Sequence, residues 1–197
     1  LDSIISESAL STIRDTFGVA QSATMSIMTV FIVFGIGYYL SKSYDVEAVF
    51  GGVVALSSFL ILTPFVMETA NGETVSGVLS LDRLGAKGMF LGMIAAFAAG
   101  EIYRKVVQKD IAIKMPAGVP PAVAKSFAAL IPAFITLTAF LAVHAIVALV
   151  FNTNLHDVIY QILQKPLTGL GSGIIPTLIL VFITQILWFF GLHGQII

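Results

Sequence analysis

Ser126–Phe151 reads SFAALIPAFITLTAFLAVHAIVALVF, and this stretch decides the fold class. It contains no charged side chain. A helix rises about 1.5 Å per residue and the hydrocarbon core of a bilayer is roughly 30 Å thick, so about 20 apolar residues are enough to cross it. The stretch is therefore predicted to be a transmembrane helix.

Four further apolar runs accompany it, at residues 22–40, 48–67, 88–104 and 172–192. The 88–104 run is the shortest of them, with Lys87 before it and Glu101 near its end. We therefore predict an all-α, polytopic transmembrane helix bundle of about five spans, accompanied by amphipathic or re-entrant segments.

The composition excludes several classes of protein. Hydrophobic residues make up 57% of the chain, charged residues only 11%, and the mean hydropathy is +0.98, whereas soluble domains carry roughly a quarter charged residues. A formal charge of −1 leaves no basic surface for nucleic acid. Because the chain has no cysteine, disulfides, thiolate metal sites and cysteine nucleophiles are excluded. The expected surroundings are the lipid bilayer.

The connections between the runs differ in character. Residues 41–47 form a tight link, and residues 68–86 are predicted to be a loop with short helical or hairpin pieces. Residues 104–125 contain the string MPAGVPP, whose three prolines forbid a continuous helix. Residues 155–165 show apolar and polar side chains at helical spacing, which predicts an amphipathic helix at the membrane interface.

Positive charge predicts the orientation in the membrane. Residues 104–125 hold five of the ten Lys and Arg residues and are therefore expected on the cytoplasmic side. Counting spans outward places residues 41–47 on the same side and residues 1–20, 68–86 and 152–171 on the outer side. An outer N-terminus without a signal peptide suggests that a further transmembrane helix precedes it.

Two of the three histidines have simple interpretations. His156 lies beside Asp157 in a polar connection and is predicted to be a solvated loop residue. His144 lies in the middle of the longest span, where a polar side chain is costly and often functional. A structural hydrogen bond from His144 to a neighbouring helix is an equally good interpretation.

The third histidine, His193, closes a run that suits a sugar ligand. If the last helix continues to it, Gln185, Phe189 and His193 share one face, with Trp188 beside them. The C–H face of a sugar stacks on aromatic rings while its hydroxyls need donors and acceptors. These side chains are therefore candidates for a sugar-binding site.

Two glycines, Gly191 and Gly194, bracket His193. They permit a break in the helix and a close approach of the backbone to a ligand, as in the discontinuous helices of transporters. The alternative is an aromatic belt at the membrane interface followed by a turn.

The remaining charged residues are predicted to flank the membrane. Lys87 and the pair Asp82–Arg83 either line an outer vestibule or, as we favour, anchor the spans, and Glu101 is expected to pair with Lys105 at i+4. No metal-ligand spacing, phosphate-binding loop or nucleophile elbow is found in the sequence. We therefore predict no catalytic residue, no metal and no cofactor.

Four strings, in this order along the chain, resemble one known family. They are SKSYDVEAVFGGVVALSSFLILTP (residues 41–64), LGAKGMF (84–90), IKMPAGVPPAVAKSFAALIP (113–132) and WFFGLHG (188–194). The chain resembles the membrane-embedded sugar component, IIC, of bacterial phosphoenolpyruvate-dependent phosphotransferase systems, in the lactose/cellobiose/diacetylchitobiose branch. The resemblance extends from about residue 15 onward.

The resemblance implies a sugar permease of the bacterial cytoplasmic membrane that works by alternating access as a homodimer. A disaccharide of the cellobiose, diacetylchitobiose or lactose type is the implied substrate. The implied partners, IIA and IIB, relay the phosphoryl group, so its transfer residues are expected on those partners. The resemblance also assigns sugar contact to Trp188, Phe189 and His193, with Gly191 and Gly194 shaping the bend.

Family members contain about ten transmembrane helices, so residues 1–197 are expected to be the N-terminal, dimerisation half of such a carrier, lacking the first helix and the C-terminal half. Two other classes of function remain as alternatives. One is a membrane-embedded enzyme or sensor that uses His144 or His193, and the other is a structural subunit without a ligand. The aromatic and histidine residues near the end of the chain favour the carrier.

Overall fold

A computed structural model describes residues 6–69, 71–116, 118–168 and 174–189. The elements in chain order are α1 (Glu7–Ala23), a 3-10 turn (Met25–Ile27), α2 (Met28–Ser43), α3 (Ala48–Leu62), β1 (Val66–Glu68), β2 (Thr74–Ser76), α4 (Leu81–Leu84), a second 3-10 turn (Ala86–Gly88), α5 (Met89–Gln108), α6 (Pro121–Phe151), α7 (Leu155–Thr168) and α8 (Ile174–Phe189).

The predicted mostly helical class is confirmed. Each of the five predicted runs coincides with a helix, namely α2, α3, α5, α6 and α8, and the predicted amphipathic segment coincides with α7. The expected loop with hairpin pieces contains the antiparallel pair β1 and β2, in which Met67 lies opposite Val75. The boundaries of the runs, however, differ from the helices at several points.

The first run was predicted to begin at Ser22, but α2 begins at Met28. Thr24 (φ −125°, ψ −78°) and Ile27 (φ −124°, ψ 20°) leave the helical region and interrupt the chain between α1 and α2. The preceding helix α1 was not predicted. None of its residues is buried.

The second run was predicted to continue to Met67, but α3 ends at Leu62. Thr63 is extended (φ −92°, ψ 126°), because the ring of Pro64 disfavours helical backbone in the residue before it. The chain then enters β1 at Val66. The early end of α3 brings Thr63 to the end of the bundle.

The helices α2, α3 and α5 pack against one another and form the centre of the bundle, while α6 packs on α3 and α5. Their contact is made by fully buried small and aromatic side chains, among them Val33, Ala55, Phe59, Ala96 and Ala99. Thr29, also buried, donates a hydrogen bond from Oγ1 to the Gly85 carbonyl at 2.7 Å. This bond joins the start of α2 to the segment before α5.

Four glycines lie on α2 and α3, namely Gly35, Gly37, Gly51 and Gly52. Three of them serve α2–α3 packing within the chain. A Cβ on Gly37 would meet the Ala55 Cβ at 2.5 Å, a Cβ on Gly51 would meet the Ser41 Oγ at 1.8 Å, and one on Gly52 would meet Phe34 at 2.8 Å. Only at Gly35, of these four, is there nothing within 4 Å.

Two helical stretches of the described chain are long and apolar enough to cross a membrane, Glu7–Ser43 and Pro121–Phe151. Ala48–Leu62 is apolar but shorter. On α6, large apolar side chains face outward, for example Phe134 (71% exposed) and Leu149 (85% exposed). Such apolar faces are suited to contact with lipid. The number of five membrane spans stays a prediction.

Two ion pairs show which connections lie at the same end of the bundle. At one end, Glu47 in the 41–47 link accepts a bond from Lys125 at 2.9 Å. At the other end, Arg83 lies 3.5 Å from Asp157, which joins the 68–86 connection to the start of α7. We call the second end, which also carries β1 and β2, the hairpin end.

Candidate functional site

The helix α8 carries the aromatic residues of the predicted sugar site. Helical backbone continues through Gln185, Trp188 and Phe189, so these side chains follow the predicted helical register. Trp188 and Phe189 are 58% and 86% exposed. His193, Gly191 and Gly194 lie outside the described residues.

His144 lies on α6 and is half-buried. Within the described residues, no hydrogen bond of its imidazole is found. Neither the functional nor the structural interpretation of His144 therefore gains support from a contact in this part of the chain.

His156 is not a solvated loop residue, as was predicted, but a buried residue of α7. It is 8% exposed, and its ring stands edge-on to the Phe59 ring at 5.7 Å between centroids. Its Nε2 lies 2.9 Å from Oγ1 of Thr63. Because the Thr63 hydroxyl donates to the Phe59 carbonyl at 2.9 Å, its oxygen accepts the bond from the Nε2–H of a neutral imidazole.

A signal in the sequence was present but was missed. His156 stands three residues before Ile159 and seven before Leu163, so it shares the apolar stripe of the amphipathic helix α7. Leu155 and Ile159 pack against the core, as the stripe predicts. The neighbouring Asp157 had suggested that His156 faces solvent. The side chain of Asp157, however, points to Arg83 and Asn154.

Burial lowers the pKa of His156 to about 4, and the nearby Arg83 guanidinium acts in the same direction, whereas Asp157 acts in the opposite one. The imidazole is therefore neutral at physiological pH. Its ordinary pKa is about 6.5. Above that pH the imidazole is unprotonated in both the folded and the unfolded chain, so the full contribution of His156 to stability is present. As the pH falls toward 4, the unfolded chain takes up a proton that the folded chain does not, so stability is lost.

We expect acid to reduce the thermal stability of the protein through His156. Between pH 7.5 and pH 5 the loss from this group is about 2 kcal/mol. His156→Gln keeps an N–H donor near Thr63 and does not titrate, so its stability should fall less over the same range. Thermal unfolding of both proteins across that pH range tests this. Equal losses in both would contradict the assignment.

The hairpin end also holds two ion pairs. Lys87 donates from Nζ to Oδ2 of Asp82 at 2.8 Å, and this hydrogen bond raises the pKa of Lys87. Asp157 accepts from Nδ2 of Asn154 at 2.5 Å and lies 3.5 Å from Arg83. Of the charged residues predicted as membrane anchors, Lys87 and Asp82 thus pair with each other, while Arg83 lies beside Asp157.

The predicted pair of Glu101 with Lys105 is wrong. Glu101 instead accepts from Arg104 at 2.6 Å, at i+3, and the guanidinium of Arg104 also lies 4.2 Å from the centre of the Tyr44 ring. Stacking on Tyr44 holds the guanidinium on the side of α5 that faces Glu101, whereas Lys105 is exposed.

Metal ligands are not grouped in the described part of the chain. No set of three or more His, Cys, Asp or Glu side chains there is arranged to hold a metal ion. What the described residues offer instead is two exposed aromatic rings on α8 and a cluster of hydrogen-bonding side chains at the hairpin end.

Known proteins match this chain over nearly its whole length. The family model described as "Phosphotransferase system, EIIC" matches residues 3–197. The oligo-beta-mannoside-specific EIIC component of the PTS system of Bacillus subtilis (strain 168) is 68% identical over all 197 residues, which cover 45% of that relative. A cellobiose-specific EIIC component from Geobacillus stearothermophilus is 41% identical over 180 residues, covering 89% of this chain and 40% of the relative.

The fold agrees with these relatives. The crystal structure of the transporter ChbC, the IIC component from the N,N'-diacetylchitobiose-specific phosphotransferase system, is similar with a TM-score of 0.70 at 40% sequence identity, covering 89% of this chain and 42% of that one. This chain spans less than half the length of each of these three proteins. The resemblance of the four strings is confirmed, and the chain belongs to the phosphotransferase system EIIC family of membrane proteins.

Proposed function

We propose that this chain is the N-terminal, dimerisation half of an EIIC sugar carrier in the bacterial cytoplasmic membrane. The observation that carries the proposal is the 68% identity, across every residue, to an oligo-beta-mannoside-specific EIIC component. The intact carrier moves a β-linked disaccharide by alternating access, and the partner component IIB, supplied with phosphoryl groups by IIA, phosphorylates the sugar.

The five apolar helices α2, α3, α5, α6 and α8 span the bilayer in this proposal, with residues 104–125 on the cytoplasmic side. The outward-facing apolar side chains of α6 support contact with lipid or with a second copy of the carrier. The open space around Gly35 on α2 leaves room for a helix of the second copy.

The sugar-binding residues of the proposal are Trp188, Phe189 and His193, with Gly191 and Gly194 shaping the backbone. The helical register of α8 and the exposure of both rings support this assignment. An exposed ring can stack on the C–H face of a sugar, and the imidazole can exchange hydrogen bonds with a hydroxyl.

Competition binding identifies the sugar. We expect radiolabelled β-mannobiose to bind the purified carrier that contains this segment, and unlabelled cellobiose to displace it at about tenfold higher concentration. β-Mannobiose and cellobiose differ in the orientation of the C2 hydroxyl on each of their two rings. The loss of one hydrogen bond in a binding site corresponds to about 1.4 kcal/mol or tenfold in affinity.

Diacetylchitobiose and lactose serve as the matched competitors in the same assay. A carrier that prefers cellobiose would still be a sugar carrier, with a different substrate. If none of the four sugars bound saturably, the carrier proposal would be wrong, and a structural or sensory membrane subunit would remain.

A further inference from the structure

The hairpin end carries a groove that the proposed transport site does not use. Three clefts of about 500, 400 and 300 Å³ adjoin one another along the segment that precedes α5. The largest shares Asp82 and Lys87 with the smallest, and the remaining one shares Ser80, Arg83 and Asp157 with the smallest. We call these adjoining clefts the hairpin-end groove. Their sizes lie in the range of small-molecule sites, roughly 300–1,000 Å³ each.

Four of the five charged side chains of the groove form two pairs of opposite charge, while no ion pair is found for the fifth, Glu68, in the described part of the chain. Lys87 pairs with Asp82 at 2.8 Å, and Arg83 lies 3.5 Å from Asp157. An inorganic or sugar phosphate would have to compete with these carboxylates for its cations. A neutral ligand would leave both ion pairs in place, so the charge distribution favours a neutral, hydrogen-bonding molecule over an anion.

Hydrogen-bonding groups that are not engaged elsewhere line the same groove. In the described part of the chain, no hydrogen bond is found for the amide of Gln21 or the hydroxyl of Tyr160, both of which line it. Ser80 stands at the N-cap of α4, yet its hydroxyl caps no backbone N–H there. Hydroxyl and amide groups both donate and accept, which matches the hydroxyls of a sugar.

Tyr160 gives the groove an aromatic face. The residue lies on α7 one helical turn after His156, is half-buried, and lines the smallest cleft together with Lys87 and Asp82. An aromatic ring beside charged and amide groups can stack on the C–H face of a pyranose while its hydroxyls bind the polar groups around it. The buried bond between His156 and Thr63 fixes the start of α7 and so holds Tyr160 in position.

We propose that the hairpin-end groove, at the end of the bundle that the proposed topology places on the outer side, is a second, low-affinity binding site for a neutral oligosaccharide. The proposal rests on the proposed sugar-carrier function for the identity of its ligand. It is distinct from the proposed transport site, because its polar walls come from the end of α1, the 80–87 segment and α7 rather than from the end of α8. Tyr160 is the stacking residue, and Gln21, Ser80, Asp82 and Lys87 bind the hydroxyls.

Saturation-transfer NMR on the carrier in lipid nanodiscs tests the proposal, with β-mannobiose or cellobiose as the probe. The protein used is the His193→Ala variant, in which sugar binding at the proposed transport site is weakened. We expect saturation transfer to the sugar to persist in this variant and to fall at least fivefold when Tyr160→Ala is added. Tyr160→Phe keeps the ring and should retain most of the signal.

Tyr39→Ala is the matched control, since Tyr39 is a tyrosine with 69% exposure near the opposite end of α2. It should leave the signal unchanged, and thermal unfolding shows whether each variant is folded. Saturation transfer that does not fall with Tyr160→Ala, or that vanishes with His193→Ala alone, would contradict the proposed sugar site in the groove. Displacement of the sugar by millimolar inorganic phosphate would also overturn it, because that would indicate an anion site.

The outcomes separate this inference from the proposed function. If the unmodified carrier binds radiolabelled sugar but the His193→Ala carrier gives no saturation transfer, only the groove is wrong. If the unmodified carrier binds no sugar in either assay, the proposed function itself fails.

Discussion

Replacement of His193 by alanine is expected to weaken sugar binding to the intact carrier by one to two orders of magnitude. In the proposed site, the imidazole exchanges a hydrogen bond with a sugar hydroxyl beside the rings of Trp188 and Phe189. Leaving a buried hydroxyl without its partner costs about 1–3 kcal/mol, and each 1.4 kcal/mol corresponds to about tenfold in the dissociation constant.

Equilibrium binding of radiolabelled disaccharide to the purified full-length carrier measures this effect. His144→Ala is the matched control, because it removes the other histidine from an apolar helix while the proposed site stays intact. We expect its affinity to change less than threefold. Light scattering should show a dimer for both variants, and a monomer in the unmodified carrier would contradict the proposed dimerisation.

Unchanged affinity in His193→Ala would remove the histidine from the site. The rings of Trp188 and Phe189 would then be better explained as an aromatic belt at the membrane interface. The proposed carrier function would survive that result, since it rests on the relationship to EIIC components over the whole chain.

The helices of this chain could be predicted well because lipid imposes one simple requirement on sequence. Apolar runs of sufficient length located α2, α3, α5, α6 and α8. The ends were less accurate where local backbone rules outweighed hydropathy. Thr63 takes the extended form demanded by Pro64, although the apolar run continues past it, and applying that rule to the sequence would have ended α3 correctly.

The contacts at the hairpin end were harder to predict because they join distant parts of the chain. Thr63 and His156 are 93 residues apart in sequence, and neither has a local partner that reveals the other. A polar neighbour suggested solvent for His156, whereas its position on the apolar stripe of α7 indicated burial. Where the two signals conflict on an amphipathic helix, the helical stripe decides the burial, since it fixes which face meets the core.

Gly88→Ala is expected to destabilise the fold by at least about 3 kcal/mol, at the upper end of the usual cost of overpacking. Gly88 has φ −81° and ψ −12°, which any residue can adopt, so the effect arises from space alone. A Cβ at this position would lie 1.8 Å from the Arg83 carbonyl oxygen and 2.9 Å from its carbon. These are backbone atoms, so no rotamer change can remove the overlap.

The clash would also disturb what surrounds it. The same Cβ would lie 3.5 Å from Cε1 of His156, so a shift of Gly88 presses on the imidazole that binds Thr63. A shift of Arg83 moves the guanidinium that lies 3.5 Å from Asp157. The loss of stability should therefore be accompanied by a loosened start of α7, seen as faster amide hydrogen exchange at residues 155–160.

Gly18→Ala is the matched control, because nothing lies within 4 Å of a Cβ at Gly18 on the exposed helix α1. Alanine in a helix is more stable than glycine by roughly 0.5–1 kcal/mol, so this variant should unfold at the same or a slightly higher temperature. Thermal unfolding of the purified carrier distinguishes a lowered unfolding temperature from an unchanged or raised one. If the Gly88→Ala carrier were as stable as the Gly18→Ala carrier, the 83–88 turn would be able to open and admit a methyl group. The close packing of Gly88 against His156 would then not be needed to fix α7.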